Sequence, residues 1–526
     1  MKKIGILFII SLALMITGCG KNNGDTALVD DNKNNIEINE VGIDEIEIDE
    51  KEIDEIEIDE VEIDEVEIHP STDNGFVGDP MPYFDGEKMN IFFLDDQRLA
   101  TQGYHPWARY TTTDFCKYEF GGDVIPYGND ITKQDISLGT GSVIKDKDGI
   151  FHAFYTGHND TYSPKEAIMH ATSTDLQNWD KHGEDTFYAD AEYSSDDFRD
   201  PYVLYNEDEG KYWMLVTTRK NNMGVIALYK SVDLIQWKNE KVLFENDMGS
   251  DSNLECPTLI EWNGYWYLTF SDQWPDRVVH YRVAKSLEGP FEKPVIDYFD
   301  SNGFYAGRLE KAADKMYLVG WNGTKDSHQD ENNYNWGGNL VSHQIIQKDN
   351  GLLSIMPIQS IIEKMNHNMK VSELYHSETI TKENRTLHFS GTDYEIATYP
   401  KIDGSTKITG KIKVNDNTNI FGFTFNLGDN KFGTLNFVFN KPEGYIGFFN
   451  KRTDTIDSEV AQSKVNYILN DGEEFNFTIL LDNTVATLYV DNEIALTARM
   501  YSVNNKEWGF FCDDSNITLK DIEVSK

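Results

Sequence analysis

Basic side chains are scarce in this chain: 47 Lys and Arg stand against 90 Asp and Glu in 526 residues, a formal net charge of −43. A nucleic acid or an anionic polysaccharide would be repelled, so neither fits as a substrate, and a neutral glycan is favoured. Cysteine is scarcer still, with four residues, Cys19, Cys116, Cys256 and Cys512. With Cys19 assigned to the leader below, the remaining odd set of three is no disulfide framework, and core packing is the default for each. His-Glu-x-x-His and Cys-x-x-Cys are both missing, which removes the usual zinc signatures. Asp146-Lys147-Asp148-Gly149 reads as a hairpin turn rather than a calcium loop. No metal or cofactor is implied.

Long apolar runs are lacking too. The run from Ile4 to Ile16 is too short to span a bilayer comfortably. It follows Met1-Lys2-Lys3 and ends in Thr17-Gly18-Cys19, a charged leader with a small-residue cleavage site directly before Cys. The pattern resembles a bacterial lipobox, which implies removal of residues 1–18, lipidation of Cys19 and anchoring on the extracellular face of the cell membrane. A plain secretory signal is the alternative.

Residues 19–70 read as an acidic low-complexity tether. The unit Ile43-Asp44-Glu45-Ile46-Glu47 is echoed at five-residue steps from Ile48, Ile53, Ile58 and Ile63. Five residues advance a helix by about 140°, so the apolar positions cannot share one face. Dense like charge also opposes compaction. Residues 36–68 carry seventeen acids and one Lys, −16 of the −43, which leaves the rest of the chain at −27. Fully extended, those 33 residues reach at most ~110 Å. An acidic cation-binding or partner-binding arm is the competing use.

Beyond the tether the chain repeats itself. Aromatic-rich runs recur at Lys88 to Leu94, Ile150 to Tyr155, Lys211 to Val216, Tyr265 to Phe270 and Lys315 to Val319. Each follows a turn signal, Asp85-Gly86, Asp148-Gly149, Glu209-Gly210, Asn263-Gly264 or Ala313-Asp314, with a short apolar run before it. These are β-hairpin patterns. After three of them, Tyr110 to Tyr118, His170 to Trp179 and Tyr229 to Trp237 share a Ser or Thr, then Asp-Leu or Asp-Phe, then an aromatic. Four-stranded units are implied, and five such units predict a five-bladed β-propeller over residues 71–355.

Gly78-Asp79-Pro80, Arg199-Asp200-Pro201 and Glu255-Cys256-Pro257 open the first, third and fourth units, each with a carboxylate just ahead of a strand. At matching repeat positions, Asp79, Asp200 and Glu255 converge at one mouth of the channel, while the counterparts near Ser142 and Tyr305 are uncharged. Asp-Pro also caps strands and turns, but three acids in register point to a shared site. Convergent carboxylates in an aromatic-lined mouth suit glycoside cleavage, which needs one protonated acid at the leaving oxygen and one carboxylate at the anomeric carbon.

Arg-Asp-Pro followed some 55 positions later by Glu-Cys-Pro, inside a five-fold strand repeat, resembles glycoside hydrolase family 32, the invertase, levanase and inulinase group. The resemblance covers about residues 75–526. It implies a retaining β-fructosidase acting on sucrose or fructan, with Asp79 as nucleophile, Asp200 as transition-state stabiliser beside Arg199, and Glu255 as acid/base. It also implies substrate contacts for Thr140 and Ser142 in Gly139-Thr140-Gly141-Ser142, and for Trp321 in Gly320-Trp321-Asn322-Gly323; a Trp in such a strand is otherwise core.

The first motif departs from the family's W-M-N-D-P-N-G, reading Phe76-Val77-Gly78-Asp79-Pro80-Met81-Pro82, and Leu94 stands where a Gln is usual. Asp95, Asp96, Gln97 and Arg98 follow, and either supply replacement hydrogen bonds to the sugar or form a solvated loop. A non-catalytic glycan-binding lipoprotein, or a hydrolase of another furanoside, is the alternative.

Residues 356–375 read as a connector with a short helix near Ile358 to Met365. Residues 376–526 read as an all-β sandwich built from Thr386 to Phe389, Ser405 to Val414, Ile420 to Asn426, Thr434 to Asn440, Phe475 to Leu481, Thr484 to Val490 and Ile517 to Val524.

Overall fold

The computed structural model describes residues 66–97, 104–391 and 393–526. The leader, Cys19, the acidic repeat up to residue 65 and Arg98 lie outside the described residues.

Five antiparallel units of three or four strands follow one another along the first part of the described chain, the first and fifth hydrogen-bonded into one eight-stranded sheet. The first holds β1 (Val77–Phe84), β2 (Met89–Asp95), β3 (Trp107–Thr112) and β4 (Glu119–Ile125). The second holds β5 (Ser137–Lys145), β6 (Phe151–His158), β7 (Glu166–Ser173) and β8 (Asp180–Lys181). The third holds β9 (Phe198–Asn206), β10 (Lys211–Lys220), β11 (Met223–Ser231) and β12 (Lys238–Glu245). The fourth has three strands, β13 (Leu254–Trp262), β14 (Tyr265–Asp272) and β15 (Val279–Ala284), and the fifth has β16 (Tyr305–Ala312), β17 (Lys315–Lys325), β18 (Tyr334–Gln347) and β19 (Leu353–Met356).

The first strands β1, β5, β9, β13 and β16 adjoin one another in cyclic order, with β16 next to β1. The seam between the fifth and first sheets includes a pairing of Val77 with Gly338. The second strands β2 and β6 are buried almost throughout, on both faces. That explains why the aromatic runs are continuous rather than alternating.

The Ser/Thr-x-Asp signature also has a physical cause. In all three copies the hydroxyl of Thr112, Ser173 or Ser231 accepts the backbone N–H of Phe115, Leu176 or Leu234. Asp114, Asp175 and Asp233 each accept two backbone N–H groups that follow. The apolar residue between them sits at positive φ, 58°, 62° and 64°, and its side chain is buried. The motif is a tight turn after the third strand, held by local side-chain acceptors.

Every first strand carries a bulge at one level. Gly78 to Met81 in β1 spans the same stretch as Leu94 to Phe92 in β2, so two residues, Asp79-Pro80, face one. Gly139-Thr140 in β5, Asp200-Pro201 in β9, Cys256-Pro257 in β13 and Ala306-Gly307 in β16 repeat the arrangement. A bulge leaves a residue outside the ladder, and proline, which has no N–H to pair, fits there at little cost. The X-Pro pairs are therefore bulges inside strands rather than caps ahead of them.

After the helix α1 (Gln359–Lys364) a second set of strands follows, joined by backbone hydrogen bonds into one 13-stranded sheet. Ser405 to Val414 and Ile420 to Asn426, expected as two strands, are one strand, Thr406–Phe425, that changes partner midway. Its first half pairs with Glu474–Asp482 and its second with Leu435–Asn440. The break lies between Val414 and Thr418, where Asn417 has φ 60°. Glu395–Ile402, Tyr445–Phe449, Ser463–Asn466 and Ile494–Arg499 are further strands. Their inward faces build one apolar core rich in phenylalanine, including Phe421, Phe423, Phe437, Phe439, Phe477 and Phe510.

The expected tether boundary at residue 70 falls inside packed chain. Ile68 is buried, and the backbone N–H groups of Ile68 and His69 both donate to Asp482 Oδ2, at 3.1 and 2.9 Å. Leu340 N–H donates to Pro70 O, and Ser405 Oγ to Val66 O. Residues 66–70 thus belong to the fold, bonded both to β18 and to strands of the C-terminal part.

Candidate active site

The bulges set two tiers around the ring of first strands. Gly78, Leu138, Arg199, Glu255 and Tyr305 form the tier just before the bulge; Asp79, Gly139, Asp200, Cys256 and Ala306 form the next. Glu255 is therefore not the counterpart of the two aspartates. It stands level with Arg199, and Cys256 takes the aspartate position. The counterpart in the second sheet is Leu138 to Thr140, not Ser142. One extra residue per strand is enough to shift a side chain to the opposite face, so the two acid types reach the cleft from different tiers.

Bonds between neighbouring sheets run along these tiers. Glu255 Oε1 accepts from Arg199 Nη2 and Nε, at 2.9 and 3.3 Å, and Glu255 Oε2 accepts from the Tyr305 hydroxyl at 2.6 Å. Asp200 Oδ1 accepts from Thr140 Oγ1 at 2.5 Å, and Oδ2 accepts from the Cys256 backbone N–H at 3.0 Å. Asp79 Oδ1 accepts from Trp321 Nε1 at 2.9 Å. Asp79, Asp200 and Cys256 hold positive φ, 41°, 59° and 54°, a conformation costing of order 1–3 kcal/mol for a non-glycine residue and found where a site over-determines it.

All three acids line one cleft of about 190 Å³, with Leu94, Ser137, Leu138, Gly139, Thr140, Thr156, His158, Glu166, Arg199 and Cys256. At ~30 Å³ per water that is room for about six waters, the scale of a single sugar ring. Larger grooves exist elsewhere on the described surface, but none gathers acids of matching repeat positions.

The electrostatics follow from crowding. Burial, then the Asp200 and Glu255 charges, push Asp79 up to about 7, while the Trp321 hydrogen bond and the Arg308 charge oppose the rise. Burial also pushes Glu255 up, with Asp200 adding to it, against the pull of Arg199 and Tyr305. Carboxyls that feel each other's charge titrate as a unit. A proton on Glu255 removes one of the charges that raise Asp79, so the cleft favours one acid and one carboxylate near neutral pH.

The remaining expected contacts divide. Thr140 and Arg199 line the cleft. Arg199 also bonds to Glu166 and Asp197, at 3.3 and 3.0 Å. Ser142 is buried outside the cleft lining, and its Oγ accepts from Val203 N–H, tying the second sheet to the third. Trp321 is almost fully buried and serves Asp79 through its indole N–H. Asp95 is bonded to Thr72 and Gln97, Asp96 shares backbone bonds with Phe76, and neither lines the cleft.

Three site residues were not legible in the sequence. Glu166, at the start of β7, accepts Phe198 N–H at 2.7 Å and lies 3.6 Å from His158, whose pKa it raises. Tyr305, an uncharged counterpart in the repeat, donates to Glu255. Trp336, on β18, covers Gly78 so closely that a Cβ there would lie 2.4 Å from its ring. It also stacks on His105, with centroids 4.5 Å apart.

This geometry is matched by known proteins. Residues 69–355 match the glycosyl hydrolases family 32 N-terminal domain. The chain belongs to glycosyl hydrolase family 32. Residues 351–524 match the family's BT1760-like C-terminal domain, so the family 32 chain is all-β, an N-terminal propeller domain followed by a C-terminal β domain. It is 26% identical to raffinose invertase of Escherichia coli over 321 residues, 56% of this chain and 64% of that relative, so the match spans just under two thirds of the relative's length. In structure it resembles sucrose-6-phosphate hydrolase of Lactobacillus gasseri, with TM-score 0.65 and 19% identity, covering 88% of this chain and 92% of that one. The likeness to exo-inulinase of Aspergillus awamori has TM-score 0.67 at 16% identity, covering 88% and 97%. At these identities the structural likeness concerns the fold.

Proposed function

We propose that this family 32 protein hydrolyses β-fructofuranosidic bonds in sucrose or a fructan with retention of configuration. The observation that carries the reading is the meeting of Asp79, Asp200 and Glu255 in one sugar-sized cleft. The five sheets form a closed five-bladed propeller, and the C-terminal domain is a β-sandwich that braces it.

In the first step an Asp79 oxygen bonds to the anomeric carbon as the glycosidic bond breaks, and Glu255 gives its proton to the leaving oxygen. In the second, Glu255 takes a proton from water, whose oxygen displaces Asp79. Asp200, fixed by Thr140 and Cys256, holds sugar hydroxyls and faces the positive charge that develops on the ring. Arg199 and Thr140 complete the sugar contacts.

The test is release of reducing sugar from sucrose, inulin, levan and arabinan, with the anomeric form of the first product read by NMR. Release from a fructoside with initial retention is expected. Gly78, Met81 and Leu94 replace polar residues of the family motif with apolar ones, an observation that favours another furanoside as the alternative; release from arabinan alone would select it. Inversion would exclude a covalent Asp79 intermediate, and no release from any of the four would leave glycan capture as the role.

The lipobox-like leader supports a location outside the cell on a lipid attached to Cys19. Cys19→Ala is expected to move the protein from the membrane to the soluble fraction. Persistence in membranes at high salt would show a different anchor.

A further inference from the structure

Among the described residues Asp79 receives a single side-chain hydrogen bond, from neutral Trp321, and it is surrounded by like charge from Asp200 and Glu255. Arg199, the cation at the cleft, is committed to Glu255, Glu166 and Asp197. A second arginine lies among the first strands. Arg308, on β16 one residue past the bulge, is only 2% exposed. Its Nη1 donates weakly to Pro257 O at 3.4 Å, and Nε and Nη2 have no partner among the described residues. Among the described residues it forms no ion pair. Its strand adjoins β1, which carries Asp79, and β13, which carries Cys256 and Pro257, and its charge opposes the rise at Asp79. Glu310, two residues further along β16, accepts from Phe84 N–H, and burial pushes it up to about 8, so at neutral pH it does little to cancel the guanidinium.

Burying a cation without a bonded anion is costly, and the cost is offset only by charge nearby. Here that charge is the acid cluster of the cleft. We infer that Arg308 is a positioning residue for the reaction: from within the ring of first strands it holds Asp79 as a carboxylate while Glu255 keeps the proton. The inference rests on the reading of Asp79 as nucleophile. It also explains how two crowded acids take opposite protonation states although Arg199 and Tyr305 both donate to Glu255.

The test is the pH dependence of kcat/KM on the best substrate for wild type, Arg308→Lys, Arg308→Gln and Arg308→Met. Removing the charge raises the Asp79 pKa, so the acidic limb of the two neutral variants should move up by about one unit, while Arg308→Lys restores it. A limb that stays put in a folded neutral variant overturns the inference, as does a loss of activity that leaves the limb in place. If neither neutral variant folds, wild type itself decides. Raising salt from about 0.1 M to about 1 M shortens the Debye length from ~10 to ~3 Å; a buried charge escapes this screening, so the acidic limb should hold, and a limb that climbs with salt assigns the stabilising charge to solvent-facing groups. Full activity in Asp79→Ala would instead sink the nucleophile reading. An inert Asp79→Ala beside an unmoved limb in Arg308→Met would sink only the role of Arg308.

Discussion

Asp79→Ala and Glu255→Ala should each lower kcat roughly 10⁴-fold or more while leaving the protein folded. For Asp79 the fold should survive because one hydrogen bond, from Trp321, is lost, worth about 1 kcal/mol, while a crowded negative charge is removed. Alanine is strained at φ 41°, so Asp79→Asn, better suited to the left-handed region, is the control that separates strain from chemistry. For Glu255 the expected loss depends on the leaving group. A substrate whose aglycone departs without a proton still forms the glycosyl intermediate, and azide then attacks the anomeric carbon in the space the side chain vacated. An azide product of retained configuration from Glu255→Ala, and of inverted configuration from Asp79→Ala, checks both roles. The opposite pairing of configurations would contradict the assignment.

Asp200→Asn should cost about 10²- to 10³-fold in kcat/KM with little change in Tm. An asparagine oxygen can still accept from Cys256 N–H, and its amide can donate to Thr140, whose hydroxyl turns to accept. The local bonds therefore survive while the charge facing the sugar is lost. Asp200 also raises the Asp79 pKa. Removing its charge should move the acidic limb of kcat/KM downward, the opposite of the shift expected from neutral substitutions at Arg308. A kcat/KM profile with both limbs unmoved would mean that Asp200 does not act on Asp79.

Much of this site was legible because its chemistry is written in the repeat. Gly-Asp-Pro, Arg-Asp-Pro and Glu-Cys-Pro marked three acids, and the structure brings all three to one cleft. The one-residue offset of Glu255 was hidden: in a sequence, a carboxylate one or two places before proline looks alike, and only the bulge shows that the two positions face different ways. Trp336 and Tyr305 escaped for another reason. Their roles come from neighbouring sheets meeting, through contacts 258 residues apart for Gly78 and Trp336, which no local pattern records. In the C-terminal domain a single strand that turns a corner looked like two, because Asn415-Asp416-Asn417 carries the composition of a loop. The last residues before the first sheet, 66–70, shared the acidic repeat's composition and so concealed their burial.

The tiered bulges have a consequence for how the site comes into being. Its acids and their donors are spread over all five strand units, and the bonds that orient two of the acids, Arg199 to Glu255, Tyr305 to Glu255 and Thr140 to Asp200, join one unit to another. No single strand unit carries all three acids, which lie on β1, β9 and β13. A chain whose fifth unit has not packed against the first would lack the bonds from Tyr305 to Glu255 and from Trp321 to Asp79.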